Sequence, residues 1–253
     1  MTELKNTPQQ KPFKILLIGD DCLDIYQYGT VDRINPEAPV PIFKFNYEEQ
    51  RQGMAGNVFC NLIALGCQVD YLHSETSIKT RLIDLRSKQH IVRIDDDKKC
   101  LPVTTKLIKH EKYDAIVISD YNKGSVSYDL IHELRAKYSC PIFIDTKKQD
   151  LAQIEGCIIK INLLEFERLI SKPTSSELVV TNGDKGVVWG DVYVGGIKVD
   201  VSDVCGAGDT FLAALAYQYL ATSSMTQALV FANKASSVTV QHFGVYAPTL
   251  GEI

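Results

Sequence analysis

The chain has 253 residues, 45% of them hydrophobic and 23% charged, with a formal net charge of −4. That balance suits an ordinary globular protein of one large or two small domains, and it argues against a nucleic-acid binder, whose footprint would be basic. No apolar run approaches the roughly 18 residues of a membrane span, and residues 1–14 lack the apolar core of a signal peptide, so a loose tail ending near Pro12 is expected.

The seven cysteines, at 22, 60, 67, 100, 140, 157 and 205, are odd in number and never at the short spacing of a zinc site. Buried free thiols of a reducing cytoplasm are the expected explanation. The histidines at 73, 90, 110, 132 and 242 are dispersed, so neither a metal cluster nor a His-based catalytic set is expected.

Along the chain, apolar runs at 15–18, 115–118, 142–144, 158–161 and 178–180 read as strands of a parallel sheet covered on both faces. Helical stretches alternate with several of them. Residues 54–65 end at Gly66, 128–138 stop before Pro141, 163–170 stop before Pro173, and 225–242 begin after Ser224. The alternation predicts a doubly wound α/β layer structure. Each apolar run ends in polar residues: Gly19-Asp20, Ser119-Asp120, Asp145, Asn162 and Thr181-Asn182. Ligands of open α/β sheets bind beyond the carboxyl ends of the strands, so these five ends outline a candidate crevice.

Two segments depart from the alternation. About residues 29–51 and 79–95, apolar and polar residues nearly alternate, which predicts antiparallel strands with one wet face. They are expected to form a small lid sheet on a single domain spanning 1–253, or a contact between copies.

The stretch 203–210, Asp-Val-Cys-Gly-Ala-Gly-Asp-Thr, follows a strand-like run at 197–201 and precedes a strong helix former at 211–220. Glycines 206 and 208 permit a tight turn, and the unpaired first amides of a helix attract anions. Asp209 sits in the same turn as a possible proton acceptor, a combination suited to moving a phosphoryl group onto a hydroxyl. A plain glycine-softened turn with a capping aspartate accounts for that stretch equally well.

Gly206-Ala207-Gly208-Asp209-Thr210 resembles the C-terminal signature of the ribokinase-like (PfkB) carbohydrate kinases. Gly53-Met54-Ala55-Gly56-Asn57-Val58, leading to Asn61 and Ala64-Leu65-Gly66, resembles their N-terminal signature. The resemblance covers about residues 13–250. Within the family, the 36–41 run Pro-Glu-Ala-Pro-Val-Pro, Lys79-Thr80-Arg81, Arg93-Ile94-Asp95, the 119–124 run Ser-Asp-Tyr-Asn-Lys-Gly and Asp145-Thr146-Lys147 are similar to the D-glycero-D-manno-heptose 7-phosphate kinases.

The resemblance implies a mostly parallel ribokinase-like sheet flanked by helices with a small β lid, and ATP with Mg²⁺ as cofactors. It implies that Asp209 is the base and that the Gly206, Ala207 and Gly208 amides form the anion hole. Asp20, Asp24, Gly53, Asn57 and Asn61 would hold sugar hydroxyls. Asn162 and Glu165 match an Asn-x-x-Glu motif that acts on metal and phosphates through water, so Glu165 is an indirect metal contact. Thr181, Gly183 and Gly186 would border the nucleotide, and Asn233 and Ser237 would lie near its adenine. Lys123, Lys147, Arg81 and Arg86 are candidates for phosphate contacts. Partners implied are a sugar phosphate and ATP, with a homodimer formed through the lid, no nucleic acid and no membrane.

Bland alternatives stand beside these: Asp24 as a helix-start residue, Asn57 and Asn61 as i, i+4 partners on a solvated face, and Glu165 as a first-turn acid. The sequence also departs from the family. Only residues 73–78 separate the strand-like 69–72 run from Lys79, so a helix and strand of the usual layers are expected to be missing. Cys205 stands where Thr or Ser is common, and the chain has no room for the nucleotidyltransferase domain of the bifunctional relatives. The shortening keeps a second expectation open, a reduced relative that binds sugar or nucleotide without chemistry.

Overall fold

A computed structural model describes residues 11–110 and 112–253. The expected tail before Pro12 falls almost wholly outside these residues. An eight-stranded sheet forms the body, in the order β12-β11-β10-β9-β8-β7-β1-β4. Its strands are β1 Lys14–Gly19, β4 Gln68–Leu72, β7 Ala115–Asp120, β8 Ile142–Thr146, β9 Ile158–Asn162, β10 Glu177–Thr181, β11 Val187–Trp189 and β12 Val192–Val194. The first six pair in parallel; β11 and β12 add an antiparallel hairpin at one edge.

The apolar runs are buried on both faces, as their continuous character demands. Alternate residues separate cleanly. Ile15, Leu17, Ala115, Val117, Phe143 and Ile158 enter one core, with Leu212, Leu215, Leu229 and Ala232. Leu16, Ile18, Ile116, Ile118, Ile144 and Ile159 enter the other, with Leu130, Ile131 and Leu134. Helices α1 (Ala55–Ala64), α4 (Ala207–Thr222) and α5 (Met225–Thr239) cover the first face, and α2 (Tyr128–Lys137) covers the second. Ser127 and Ser224 cap α2 and α5 by accepting from the amides three residues on.

A second sheet, in the order β3-β2-β5-β6, is the lid. It is longer than its sequence signal: β2 spans Asp21–Ile34, β3 Pro41–Met54, β5 Thr76–Asp84 and β6 His90–Asp96. The β2–β3 and β5–β6 pairs are antiparallel as expected, whereas β2 and β5 run parallel. Asp24 therefore lies inside a strand and starts no helix.

Several expectations need correction. Residues 197–201 form no strand, because the chain there is an irregular approach to α4. Helix α4 begins at Ala207 rather than after the turn, so Gly208 and Asp209 are its first-turn residues. The short helix α3 (Leu163–Glu167) stops before 170, and α5 stops at Thr239 rather than 242. Strand β4 passes to β5 through His73, Ser74 and Glu75 alone, leaving β4 as an edge strand.

Phe143, the second residue of β8, is fully buried. Phe143→Ala is expected to cost about 3–5 kcal/mol of stability, read from the urea midpoint at unchanged m-value.

Candidate active site

The site is built where β1, β7, β8 and β9 end, between the body and the lid. Gly206 precedes α4 with φ of 78°, a left-handed conformation that glycine takes at no steric cost. A Cβ there would also stand 2.6 Å from the Asn57 side-chain nitrogen. The same close approach brings the two glycine motifs together. Asn57 Nδ2, on α1, donates to Asp209 Oδ2 at 2.9 Å, and Tyr121 Oη donates to Asp209 Oδ1 at 3.1 Å.

Asp209 is 5% exposed. Burial pushes its pKa up to about 6, the Asn57 hydrogen bond opposes that, Asp145 adds to it, and Lys160 and Tyr121 oppose it. A base with a pKa near working pH at the first turn of a helix is suited to taking a hydroxyl proton. Burial and the neighbouring Asp209 push the Tyr121 hydroxyl well up, so it stays a donor.

Asn57 and Asn61 are both buried, which removes the solvated-face alternative. Asn61 Nδ2 donates to the Asn57 backbone oxygen at 2.8 Å and to Asn57 Oδ1 at 3.2 Å. It thus orients Asn57 instead of facing a sugar. Asp20 also departs from its expected role. Its carboxylate is fully buried and accepts from the Lys123 and Ser125 amides at 3.0 Å each, so it pins the loop after β7.

Asp24 is held on β2 by an ion pair with Arg81 of β5, and the two side chains are only 7% and 12% exposed. A Cβ on Gly53 would meet Asp24 Oδ2 at 2.5 Å, so Gly53 makes room for that carboxylate. The Arg51 and Arg81 guanidinium groups lie 5.3 and 5.2 Å from the Tyr26 ring centre. Lys123 turns to the acidic strip after β6 and pairs with Asp97 at 2.5 Å. Arg86 pairs with Asp32 at the far end of the lid and is 67% exposed, away from the Asp209 cluster.

Asn162 and Glu165 form a reciprocal capping box on α3: Glu165 N donates to Asn162 Oδ1, and Asn162 N donates to Glu165 Oε2, each at 2.9 Å. The first-turn alternative for Glu165 is thus part of the truth, yet its other oxygen pairs with Lys147. Burial works against the Lys147 ammonium, but Asp145, Glu165 and Asp209 together push its pKa up.

Thr181 ends β10 and bonds its hydroxyl to the Ile161 oxygen at 3.3 Å. Gly183 and Gly186 follow with φ of 51° and 100°, and the 194–196 backbone packs directly against Gly186. Asn233 Nδ2 donates to the Gly195 oxygen at 3.1 Å, and Ser237 Oγ donates to the Lys234 oxygen at 2.7 Å. Ser236, next to Ser237, bonds the Ala207 oxygen at 3.0 Å, tying α5 to the start of α4.

Sequence reasoning assigned Tyr121 and Lys160 no role, and Asp145 stood out as one of five polar strand ends. Tyr121 stood in a motif without a role. Lys160 was visible only as one charge inside the apolar run of β9, a placement that few lysines tolerate.

Residues 158–250 match the pfkB family carbohydrate kinases. Over 95% of its length the chain is 31% identical to "Bifunctional protein HldE" of Nitratiruptor sp., of which the match covers 64%. The chain thus spans a little under two thirds of the length of the curated relatives it matches. A ribokinase of Arabidopsis thaliana complexed with ribose and ATP superimposes with a TM-score of 0.70 at 17% identity, covering 96% of this chain and 97% of that one. Phosphofructokinase-2 of Escherichia coli gives 0.72 at 15%, covering 95% and 96%.

Asn57→Ala removes the bond that most opposes the rise of the Asp209 pKa. The acid limb of the pH–rate profile, expected near pH 6, should move upward in that variant, and Tyr121→Phe should move it the same way by less. Asp209 also has a stability signature. Its folded pKa exceeds the unfolded 3.8, so the native state binds the proton better and gains as pH falls through about 6. Above that pH the buried charge costs roughly 2–3 kcal/mol at about 1.4 kcal/mol per unit. Asp209→Asn is therefore expected to raise the melting temperature at pH 8 and to raise it less at pH 4.5, where the folded carboxyl is protonated but the unfolded one is still mostly charged.

Proposed function

We propose that the chain, whose residues 158–250 match the pfkB family carbohydrate kinases, transfers the γ-phosphoryl group of ATP to D-glycero-D-manno-heptose 7-phosphate, giving the 1,7-bisphosphate. The observation that carries the reading is the Asn57–Asp209 hydrogen bond, which joins both glycine motifs at one buried carboxylate. Asp209 accepts the proton of the attacking hydroxyl as its oxygen bonds to the γ-phosphorus. The bond from that phosphorus to the bridging oxygen breaks, and ADP leaves with the electron pair. The Gly206–Gly208 amides, with the field of α4 behind them, meet the charge on the transferring oxygens.

Asp24 and Arg81 face the sugar from the lid, which suits a phosphorylated polyol better than a neutral one. Mg²⁺ supplies charge neutralisation across the phosphates. Among the described residues no three of His, Cys, Asp and Glu are grouped to enclose a metal, so phosphate oxygens would carry the ion with Glu165 reaching it through water. The heptose assignment is supported by the HldE similarity and by the Pro-Glu-Ala-Pro-Val-Pro stretch.

We also read the lid as a dimer contact. By strand register, Leu23, Ile25, Ile78, Leu82, Val92 and Ile94 share the lid face turned from Asp24, and Val92 and Ile94 are 45% and 56% exposed. A reducing cytoplasm is the setting we assign. Seven free cysteines support it, with burial pushing the Cys22 and Cys157 thiols up to about 11. No described helix is long and apolar enough to cross a membrane.

With ATP, Mg²⁺ and heptose 7-phosphate the protein should release ADP, and Asp209→Asn should lower kcat by at least about a thousandfold. Equal turnover of fructose 6-phosphate or ribose would sink the heptose assignment. The three-residue β4–β5 link favours one other reading, a binding-only relative; ATP-raised melting without turnover on any sugar phosphate would select it. For the lid, the pair Val92→Glu with Ile94→Glu should convert dimer to monomer in light scattering.

A further inference from the structure

Lys160 sits in β9 with 3% of its surface exposed, on the sheet face covered by α4. Its ammonium bonds Asp145 Oδ2 at 2.6 Å, the one partner found among the described residues, although an ammonium has three donors. The other oxygen of that carboxylate, Asp145 Oδ1, is buried with no partner. A pair that leaves both members under-satisfied in the interior is costly, unless something that binds there completes it.

The position of the charge says what that something is. A Cβ built on Gly208 would lie 3.0 Å from Lys160 Nζ. Gly208 is the second residue of α4, so the ammonium lies against the positive end of a sixteen-residue helix, the wrong end for a cation. Gly208 itself carries no positive φ. Alanine would be about 1 kcal/mol better in a helix, so the backbone does not call for glycine there. The space is kept for the lysine and for whatever it meets. The Asp145 carboxylate, whose Oδ2 stands 3.9 Å from the same point, answers one positive charge there, and the two remaining ammonium donors together with the helix end are left for a further anion.

We propose that Lys160 is a catalytic residue of the anion hole, donating directly to the γ-phosphoryl oxygens of the nucleotide while Asp145 holds the ammonium in place. The inference rests on the kinase reading above and adds to it a side-chain cation beneath the Gly206–Gly208 amides. It also gives the glycine at 208 a second reason. Any side chain there would push between the ammonium and the transferred group.

Lys160→Gln separates this role from a structural one. Titration of the purified variant with β,γ-imido-ATP should show an affinity loss of tenfold or more, against less than twofold for ADP, which lacks the γ-group. In turnover, kcat should fall about 10²- to 10³-fold, with KM for the sugar phosphate within twofold. The double variant Asp145→Asn with Lys160→Gln removes both charges, so it keeps a folded comparison even if the single variant misfolds. Recovery of kcat in the double variant would mean that Lys160 only neutralises Asp145, and would overturn the proposal, as would equal losses for imido-ATP and ADP. A double variant that stays as slow as the single upholds it. If the wild type binds both nucleotides but turns over no sugar phosphate, the kinase reading fails while the imido-ATP and ADP comparison still decides Lys160.

Discussion

A carboxylate kept out of water and held there by hydrogen-bond donors is the constraint around which this site is built. Burial drives the Asp209 pKa upward, and the protein answers with two hydrogen-bond donors, Asn57 and Tyr121, brought from α1 and from the loop after β7. Neither donor is self-supporting. Asn57 is aligned by Asn61 one turn later, and the loop carrying Tyr121 is pinned by the buried carboxylate of Asp20. Asn61 and Asp20, which look like sugar ligands in the sequence, thus hold the groups that hold the Asp209 carboxylate.

The remaining charges alternate around that centre. Lys160 faces Asp145, Lys147 faces Glu165, and Lys148 faces Asp120, each from the end of a parallel strand or the loop behind it. The lid supplies its own pair in Asp24 and Arg81. Paired charges at low exposure keep orientation without leaving a bare ion in the interior. On the kinase reading proposed above, an incoming polyanion would meet cations already fixed in position, with little reorganisation on binding.

What was legible in the sequence follows from what each residue type can do alone. The parallel strands showed themselves because four consecutive apolar residues have few other uses, and the glycine motifs because close approach excludes side chains. Asn57 and Asp209 were legible as candidates, but their mutual bond spans 152 positions and no local pattern encodes it. The start of α4 was misread since Gly-Ala-Gly resembles a turn; only Gly206 is left-handed, and the next residues are already helical. The β11–β12 hairpin went unseen because three-residue strands carry almost no periodicity, although Gly190-Asp191 between them is a turn signal. Lys160 was hidden by its company. A charge in an apolar strand is averaged away by any reading that asks only whether the segment is buried.

The short link between β4 and β5 has a mechanical meaning. Three residues reach little more than about 10 Å even when extended. The lid is joined to the body by that leash, by Asp20 alone between β1 and β2, by the direct run of β3 into α1 at Met54, whose φ of 50° fixes the bend, and by the longer passage from β6 to β7. A sheet tethered by three such short joints has little room to swing wide, and any rocking would be about an axis passing close to them. Because the Ala55 amide donates to the Asp20 backbone oxygen at 3.1 Å, two of those joints meet at the start of α1, the helix that carries Asn57. Any opening of the lid would then move Asp24 and Arg81, out on its strands, by more than it moves Asn57 and the carboxylate it holds.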